Sequence, residues 1–165
     1  MQITSPNSRS RFSTKRGTIE DMPLLQELYV DTIKDVCKNE YSEEQRLAWA
    51  KGVENNERWN RVFEEQFVIL AMDNNLVAGF ASLDKGVYID MFYVHKDFQR
   101  QGVASFLYSI IEQQALAMGT KRLTADISKT AKPFFELKGF KIDTEQTFPI
   151  RGVMISNFRM SKVIG

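Results

Sequence analysis

The hydrophobic pattern of this chain changes its period near residue 66, and that change limits the folds it can adopt. Apolar residues between Leu24 and Cys37 recur at helical spacing, which predicts a helix over 21–38. From Phe67 to Val94 the chain instead reads as three extended apolar runs, separated by Asp73-Asn-Asn75 and by a turn at Gly86. Helices followed by a three-strand meander predict an α+β fold in which helices cover a sheet.

Further elements follow from the same patterns and from capping residues. Ser42, followed by two glutamates and Gln45, predicts a helix start through a capping box. Helical spacing returns after Gly102 and ends at Gly119, a glycine suited to a helix C-terminus. The remaining predicted elements are a short strand within 14–19, helical turns within 53–64, a strand over 122–127, a short helix over 130–138, and strands over 140–148 and 153–160.

Composition restricts the classes of function and the domain organisation. The chain has 165 residues, enough for one domain over 13–165, and residues 1–12 lack periodicity, which predicts a flexible tail. Its 22 Lys and Arg nearly balance 21 Asp and Glu, which argues against nucleic-acid and membrane binding. Cys37 is the only cysteine and His95 the only histidine, so we expect neither a disulfide nor a zinc site, and a cytoplasmic location.

A polar loop between a strand and a helix carries the chemistry that the residues themselves indicate. The strand ends at Val94, residues 95–101 are polar apart from Phe98, and a helix begins at Gly102. The free N–H groups and the dipole at such a helix start favour an anion, and glycine lets a phosphate approach the backbone. The loop has neither a Gly-x-Gly-x-x-Gly motif nor a Gly-Lys-Ser/Thr ending, so dinucleotide and nucleoside triphosphate sites lack their signatures.

Two segments resemble a known family. The residues Gln99-Arg-Gln-Gly-Val-Ala104 are similar to the Gln/Arg-x-x-Gly-x-Gly/Ala motif of the GCN5-related N-acetyltransferase (GNAT) superfamily, and Ala131-Lys-Pro-Phe-Phe-Glu-Leu-Lys-Gly-Phe140 resembles its Ala-x-x-Phe-Tyr-Glu-x-x-Gly-Phe segment. The element order also agrees, so the resemblance covers nearly the whole chain beyond the tail. It implies an α+β fold with a mixed, mostly antiparallel central sheet of six to seven strands and helices on both faces.

The resemblance implies an N-acetyltransferase that moves the acetyl group of acetyl-CoA, its co-substrate, directly onto a primary amine of an unidentified small molecule or protein. The cofactor would lie where the strands over 87–94 and 122–127 splay apart. The residues that the resemblance assigns to the cofactor are Phe92, Tyr93, Val94, Gln99, Arg100, Gln101, Gly102, Val103, Ala104, Ser105, Ser128, Lys132 and Phe135.

Asp90 and Tyr88 are the candidate catalytic residues. Asp90 interrupts an apolar strand, so its carboxylate is expected to be either hydrogen-bonded or functional. A general base for the amine and a structural carboxylate therefore remain alternatives. Strand alternation predicts that Tyr88, Asp90 and Phe92 share one face. The resemblance places Phe135 where many family members have a tyrosine that acts as general acid. Tyr88, Tyr93 or water would then supply the proton to the departing CoA thiolate, or the thiolate would leave unassisted.

Two other functions and one oligomeric state remain open at this stage. Phe135 favours an acyl-CoA-binding sensor or partner module that transfers nothing. A toxin that acetylates aminoacyl-tRNA is disfavoured by the net charge of +1. An edge strand near the C-terminus could also pair across a homodimer.

Overall fold

A computed structural model describes residues 10–165, which form one seven-stranded sheet with helices on both faces. The strands are β1 (Ser13–Arg16), β2 (Phe67–Asp73), β3 (Leu76–Asp84), β4 (Tyr88–Val94), β5 (Arg122–Ser128), β6 (Lys141–Ile150) and β7 (Val153–Val163). The helices are α1 (Met22–Val36), α2 (Glu43–Ala50), α3 (Asn56–Glu65), α4 (Val103–Ala117) and α5 (Lys132–Leu137). The predicted fold class is confirmed.

The sheet runs in the order β1-β2-β3-β4-β5-β7-β6, and its only parallel pair among the described residues is β4 with β5. That pair is short, with Tyr88 opposite Thr124 and Ile89 opposite Ala125. Beyond Ile89 the two strands diverge, as the resemblance implied. The divergence opens a cleft in the middle of the sheet.

Side-chain alternation sends the apolar residues of the central strands into two cores. Val68, Leu70 and Phe80 pack against α1 and α3 on one face. Ile69, Ala71 and Ala81 pack against α4 and α5 on the other. Burial on both faces explains why β2 and β3 read as nearly continuous apolar runs.

Local sequence signals position the connections. Ser42 Oγ accepts the N–H of Gln45, while Gln45 Oε1 accepts the N–H of Ser42, so the predicted capping box is confirmed. Asn74 has φ 54°, and the asparagine turn joins β2 to β3 as predicted. The last two strands also form the predicted hairpin, whose turn lies at Arg151-Gly152.

The N-terminal boundary differs from the prediction. Residues 1–9 of the predicted tail lie outside the described residues. Phe12 is buried in the core beneath α4, with its ring 5.9 Å from that of Phe106. Arg11 pairs with Asp73 at 2.8 Å. The packed chain thus begins before Ser13, because burial of the Phe12 ring removes a large apolar surface from water.

β1 and β6 are the two edge strands of the sheet, and the predicted homodimer contact would form at β6, the edge strand near the C-terminus. β6 carries Lys141, Asp143, Glu145 and Pro149, residue types that oppose edge-to-edge pairing. The homodimer stays a prediction.

Candidate active site

A cavity of about 530 Å³ occupies the divergence between β4 and β5. Its floor is formed by the ends of these strands, and its walls by α1, α5 and the loop before α4. Val36, Cys37 and Trp49 also line it, as do Phe98, Gln99, Arg100 and residues 102–105. The cavity is therefore a cleft between the two strands that includes the N-terminus of α4.

A β-bulge at Asp90 shapes the floor of this cleft. Ser82 is opposite Met91 but Leu83 is opposite Ile89, so Asp90 is an extra residue on β4. The extra residue reverses the alternation: Ile89 packs on the α4 face and Met91 on the α1 face. The prediction that Tyr88, Asp90 and Phe92 share one face is therefore wrong, because simple alternation holds only for an unbulged strand.

The bulged strand leaves backbone groups open toward the cleft. The N–H of His95 donates to the carbonyl of Ala78 on β3. By alternation, the backbone N–H and carbonyl of Tyr93 also point toward β3. The backbone groups of Phe92 and Val94 point toward the cleft, where the pairing of β4 with β5 has ended at Ile89. The Val94 carbonyl is occupied by Thr32 Oγ1 at 2.9 Å and by Gln99 Nε2 at 2.8 Å. The free groups are thus those of Phe92 and the N–H of Val94.

The loop before α4 has the conformation of an anion site. Arg100 and Gly102 both have positive φ, 60° and 85°. The first helical hydrogen bond joins the N–H of Phe106 to the carbonyl of Gly102 at 3.0 Å. The N–H groups of residues 103–105 therefore point out of the helix end toward the cleft, which they line.

The structure brings together most of the residues predicted to bind the cofactor. Those that line the cleft are Phe92, Tyr93, Val94, Gln99, Arg100, Gly102, Val103, Ala104, Ser105, Ser128 and Phe135. Two lie elsewhere. Gln101 accepts a hydrogen bond from Arg11, and Lys132 pairs with Glu136 at 3.1 Å and lies over the ring of Phe158.

Comparison with known proteins identifies this arrangement. The sequence model of the Acetyltransferase (GNAT) domain matches residues 37–162. The chain belongs to the GNAT acetyltransferase family. It is 34% identical over 140 residues to the uncharacterized N-acetyltransferase YafP of Escherichia coli K12, covering 85% of this chain and 88% of that protein.

Solved GNAT structures share the fold of this acetyltransferase. A GCN5-related N-acetyltransferase from Rhodopseudomonas palustris superimposes with a TM-score of 0.89 at 30% identity, covering 93% of this chain and 96% of the other. The PaiA N-acetyltransferase of Thermoplasma acidophilum, solved in complex with coenzyme A, gives a TM-score of 0.75 at 18% identity, covering 92% and 98%. Within residues 10–165 of the GNAT chain, no helix is long and apolar enough to cross a membrane.

Asp90 of this acetyltransferase is held on both carboxylate oxygens. Arg58 donates to Oδ1 at 2.9 Å and to Oδ2 at 3.2 Å, and Gln66 Nε2 donates to Oδ2 at 2.8 Å. The Asp90 side chain is only 9% exposed. Asp90 also lines the cleft. Of the two roles that the sequence left open, these contacts favour a structural carboxylate, because three of its roughly four lone-pair sites already accept hydrogen bonds.

Tyr88 donates its hydroxyl hydrogen to Asp126 at 2.8 Å and does not line the cleft. Burial, together with the hydrogen bond to the negative Asp126, raises the pKa of Tyr88, which makes its hydroxyl a weaker proton donor. Neither observation supports the prediction that Tyr88 is the general acid.

Asp126 lines the cleft from β5 and anchors a second ion pair. Burial opposes its charged form, but hydrogen bonds from Arg159, Tyr88 and Gln146 outweigh burial and lower the pKa of Asp126. A lowered pKa means that the folded state gains stability from the ionised carboxylate.

We expect Asp126→Asn to destabilise this acetyltransferase by about 1–3 kcal/mol at pH 7, because Arg159, Tyr88 and Gln146 would lose a charged hydrogen-bond acceptor. The folded pKa lies below the unfolded value of about 3.9. The stability contribution is therefore complete above that value and is lost as pH falls through the folded pKa. Urea denaturation of both proteins between pH 3 and 7 measures this difference.

Asp143→Asn is the matched control for that measurement. Asp143 pairs with Arg122 at 3.3 Å, and both side chains are more than a third exposed, so its loss should change stability little. A difference between wild type and Asp126→Asn that stays constant down to pH 3 would contradict the lowered pKa.

Phe135 is 1% exposed and packs edge-on against Phe92 and Phe140. Its ring supplies apolar contact at the cleft and has no hydroxyl that could donate a proton. Cys37 is 4% exposed, and burial raises the pKa of its thiol.

Three residues of the site were missed by sequence reasoning. Arg58 and Gln66 reach Asp90 from α3 and its end, and Asp126 faces the cleft from β5. Arg58 lies in a charged segment without a motif. In β5, Leu123, Ala125 and Ile127 alternate on one face of the strand, and Asp126 lies on the other face. Polar residues are common on such a face, so no local signal distinguished Asp126.

Proposed function

We propose that this GNAT acetyltransferase binds acetyl-CoA in the cleft between β4 and β5 and transfers the acetyl group to a primary amine of a small molecule or protein in the cytoplasm. One observation carries the proposal. An open backbone edge at Phe92 and Val94 lies beside the free N–H groups of residues 103–105, in one cleft. An extended amide-containing arm with a diphosphate matches both features.

In the proposed binding mode, the diphosphate accepts hydrogen bonds from residues 103–105 at the start of α4. Arg100, exposed beside them, adds a cation. The pantetheine arm adds to the open edge of β4 at Phe92 and Val94, as a strand would. Ser128 Oγ accepts the N–H of Ala131 at 3.1 Å, which leaves its hydroxyl hydrogen for a pantetheine carbonyl.

The chemistry is attack of the neutral amine nitrogen on the thioester carbonyl carbon. A C–N bond forms, the carbonyl electrons move to oxygen, and the N–H of Phe92 stabilises that oxyanion. The attacking nitrogen is positively charged after the attack and loses a proton to solvent water. When the intermediate collapses, the oxyanion electrons re-form the carbonyl, the C–S bond breaks, and its electron pair leaves on the coenzyme A sulfur as a thiolate. A thiol has a pKa of about 8.5, so the thiolate leaves without a tyrosine at position 135.

The deciding experiment combines calorimetry with coenzyme A and acetyl-CoA with a thiol-release assay over a panel of primary amines. We expect both cofactors to bind and at least one amine to be acetylated with stoichiometric thiol release. Tight acetyl-CoA binding with no turnover on any amine would support the sensor instead. No binding of either cofactor would overturn the proposal.

A further inference from the structure

We infer that Asp90, Arg58 and Gln66 form a clamp on the β4 bulge that aims the N–H of Phe92 at the thioester carbonyl. We call these three residues the bulge clamp. The inference rests on the proposed function, since it assigns a positioning role within the same site. Arg58 and Gln66 do not line the cleft, so they act on the reaction only through Asp90.

The geometry of the bulge clamp fixes one residue from two directions. Arg58 grips the carboxylate of Asp90 with two nitrogens, and Gln66 adds a third donor from the residue after α3. On the other side, Ser82 Oγ on β3 accepts the N–H of Met91 at 3.0 Å. The bulge is thereby tied to α3 through Asp90 and to β3 through Met91.

The clamp lies where precise placement of the backbone matters for the reaction. The β5 pairing ends at Ile89, the residue before Asp90, and the open N–H of Phe92 follows Asp90 by two positions. Beyond Ile89, no strand pairs with β4 on the side of β5, so the direction of the Phe92 N–H depends on how the bulge is held. A displacement of about 1 Å at a reacting group can cost 10²-fold in rate.

The charge of Asp90 sets the orientation of the Gln66 amide. Gln66 Nε2 donates to Asp90 Oδ2 at 2.8 Å, and Gln66 Oε1 is buried without a hydrogen-bond partner in the protein, the only such side-chain atom among residues 10–165. Rotating the amide would bring Oε1 against the Asp90 carboxylate, so the charge of Asp90 holds Gln66 in this orientation.

The inference is tested by infrared spectroscopy of acetyl-CoA labelled with ¹³C at the thioester carbonyl. A hydrogen bond from Phe92 polarises the carbonyl and lowers its stretching frequency on binding. We expect this shift in the wild type and its loss in Arg58→Met, while the Kd for coenzyme A, which has no acetyl carbonyl, changes by less than about twofold. Asp90→Asn should lose the shift too, and the double variant should show no further change.

Arg61→Met is the matched control, since Arg61 lies on the same helix and pairs with the exposed Glu57 at 3.1 Å. It should keep both the carbonyl shift and the thermal stability. If Arg58→Met does not fold, Arg58→Lys keeps the positive charge but loses the two-nitrogen grip, and it should reduce the shift.

The two proposals fail in different ways. A carbonyl shift of equal size in wild type, Arg58→Met and Asp90→Asn would overturn the bulge clamp while leaving acetyl-CoA binding intact. If Asp90 were instead the general base, the carbonyl shift would be equal in all three proteins, and only Asp90→Asn would lose activity. Absence of calorimetric heat with coenzyme A in the wild type would instead overturn the proposed function.

Discussion

Replacing Gly102 by valine is expected to lower the affinity for coenzyme A by at least about 100-fold while the protein stays folded. Gly102 has φ 85°, a conformation that costs an L-residue about 1–2 kcal/mol and a β-branched residue more. The loop relaxes from this strain by turning the N–H groups of residues 103–105 away from the diphosphate. Each hydrogen bond to a charged group contributes about 1.5–3 kcal/mol, so two lost bonds suffice for this decrease. Isothermal calorimetry measures the affinity.

Gly119→Val is the control for Gly102→Val. Gly119 follows the opposite end of α4 with φ 79°, and a Cβ at either glycine would meet no atom within 4 Å. Both substitutions therefore impose similar backbone strain without a steric clash, and similar losses of stability are expected. Only Gly102→Val should lose coenzyme A. Normal binding by Gly102→Val would show that the loop does not hold the diphosphate.

Replacing Trp59 by alanine is expected to cost about 3–5 kcal/mol of stability, the largest stability effect that we predict. Trp59 is 1% exposed, meets Tyr29 edge-on at 5.2 Å and donates Nε1 to the Gly52 carbonyl at 3.2 Å. Its removal leaves a cavity between α3 and the sheet and an unpaired carbonyl. For a chain of this length, the melting temperature should fall by about 10–15 °C. Thermal and urea denaturation followed by circular dichroism measure both quantities.

Trp49→Ala compares the second tryptophan. Trp49 is only partly buried and lines the cleft, with its ring 5.4 Å from Tyr41. We expect a stability loss of about 1–2 kcal/mol, because less apolar surface is exposed by the truncation. A loss as large as that of Trp59→Ala would show that burial of the ring does not decide the effect.

The elements of this fold were predictable because each carries a local signal. The capping box at Ser42, the Asn74 turn and the glycine at the end of α4 all lie where the pattern placed them. The boundary at Phe12 was not predictable, because one apolar residue in a polar segment has no period. Its burial depends on Phe106, far along the chain.

The candidate site divides in the same way. The loop before α4 was predicted from Gly102 and its neighbours, since a helix start needs only local sequence to expose its N–H groups. The roles of Asp90 and Tyr88 could not be predicted, because their partners Arg58 and Asp126 are 32 and 38 residues away. The bulge likewise depends on the register with β3, which no strand pattern shows.

The sequence by itself determined the order of the elements and the loop conformation before α4, because periodicity, capping and glycine conformation act over a few residues. Two segments, residues 99–104 and 131–140, carried the resemblance to the family. Only the tertiary structure decided which backbone groups of β4 stay unpaired, and that both Asp90 and Asp126 are held by arginines. The physical reason is that strand register and ion pairing join residues far apart in the chain. Their energies depend on distances that exist only after the sheet and its helices have packed.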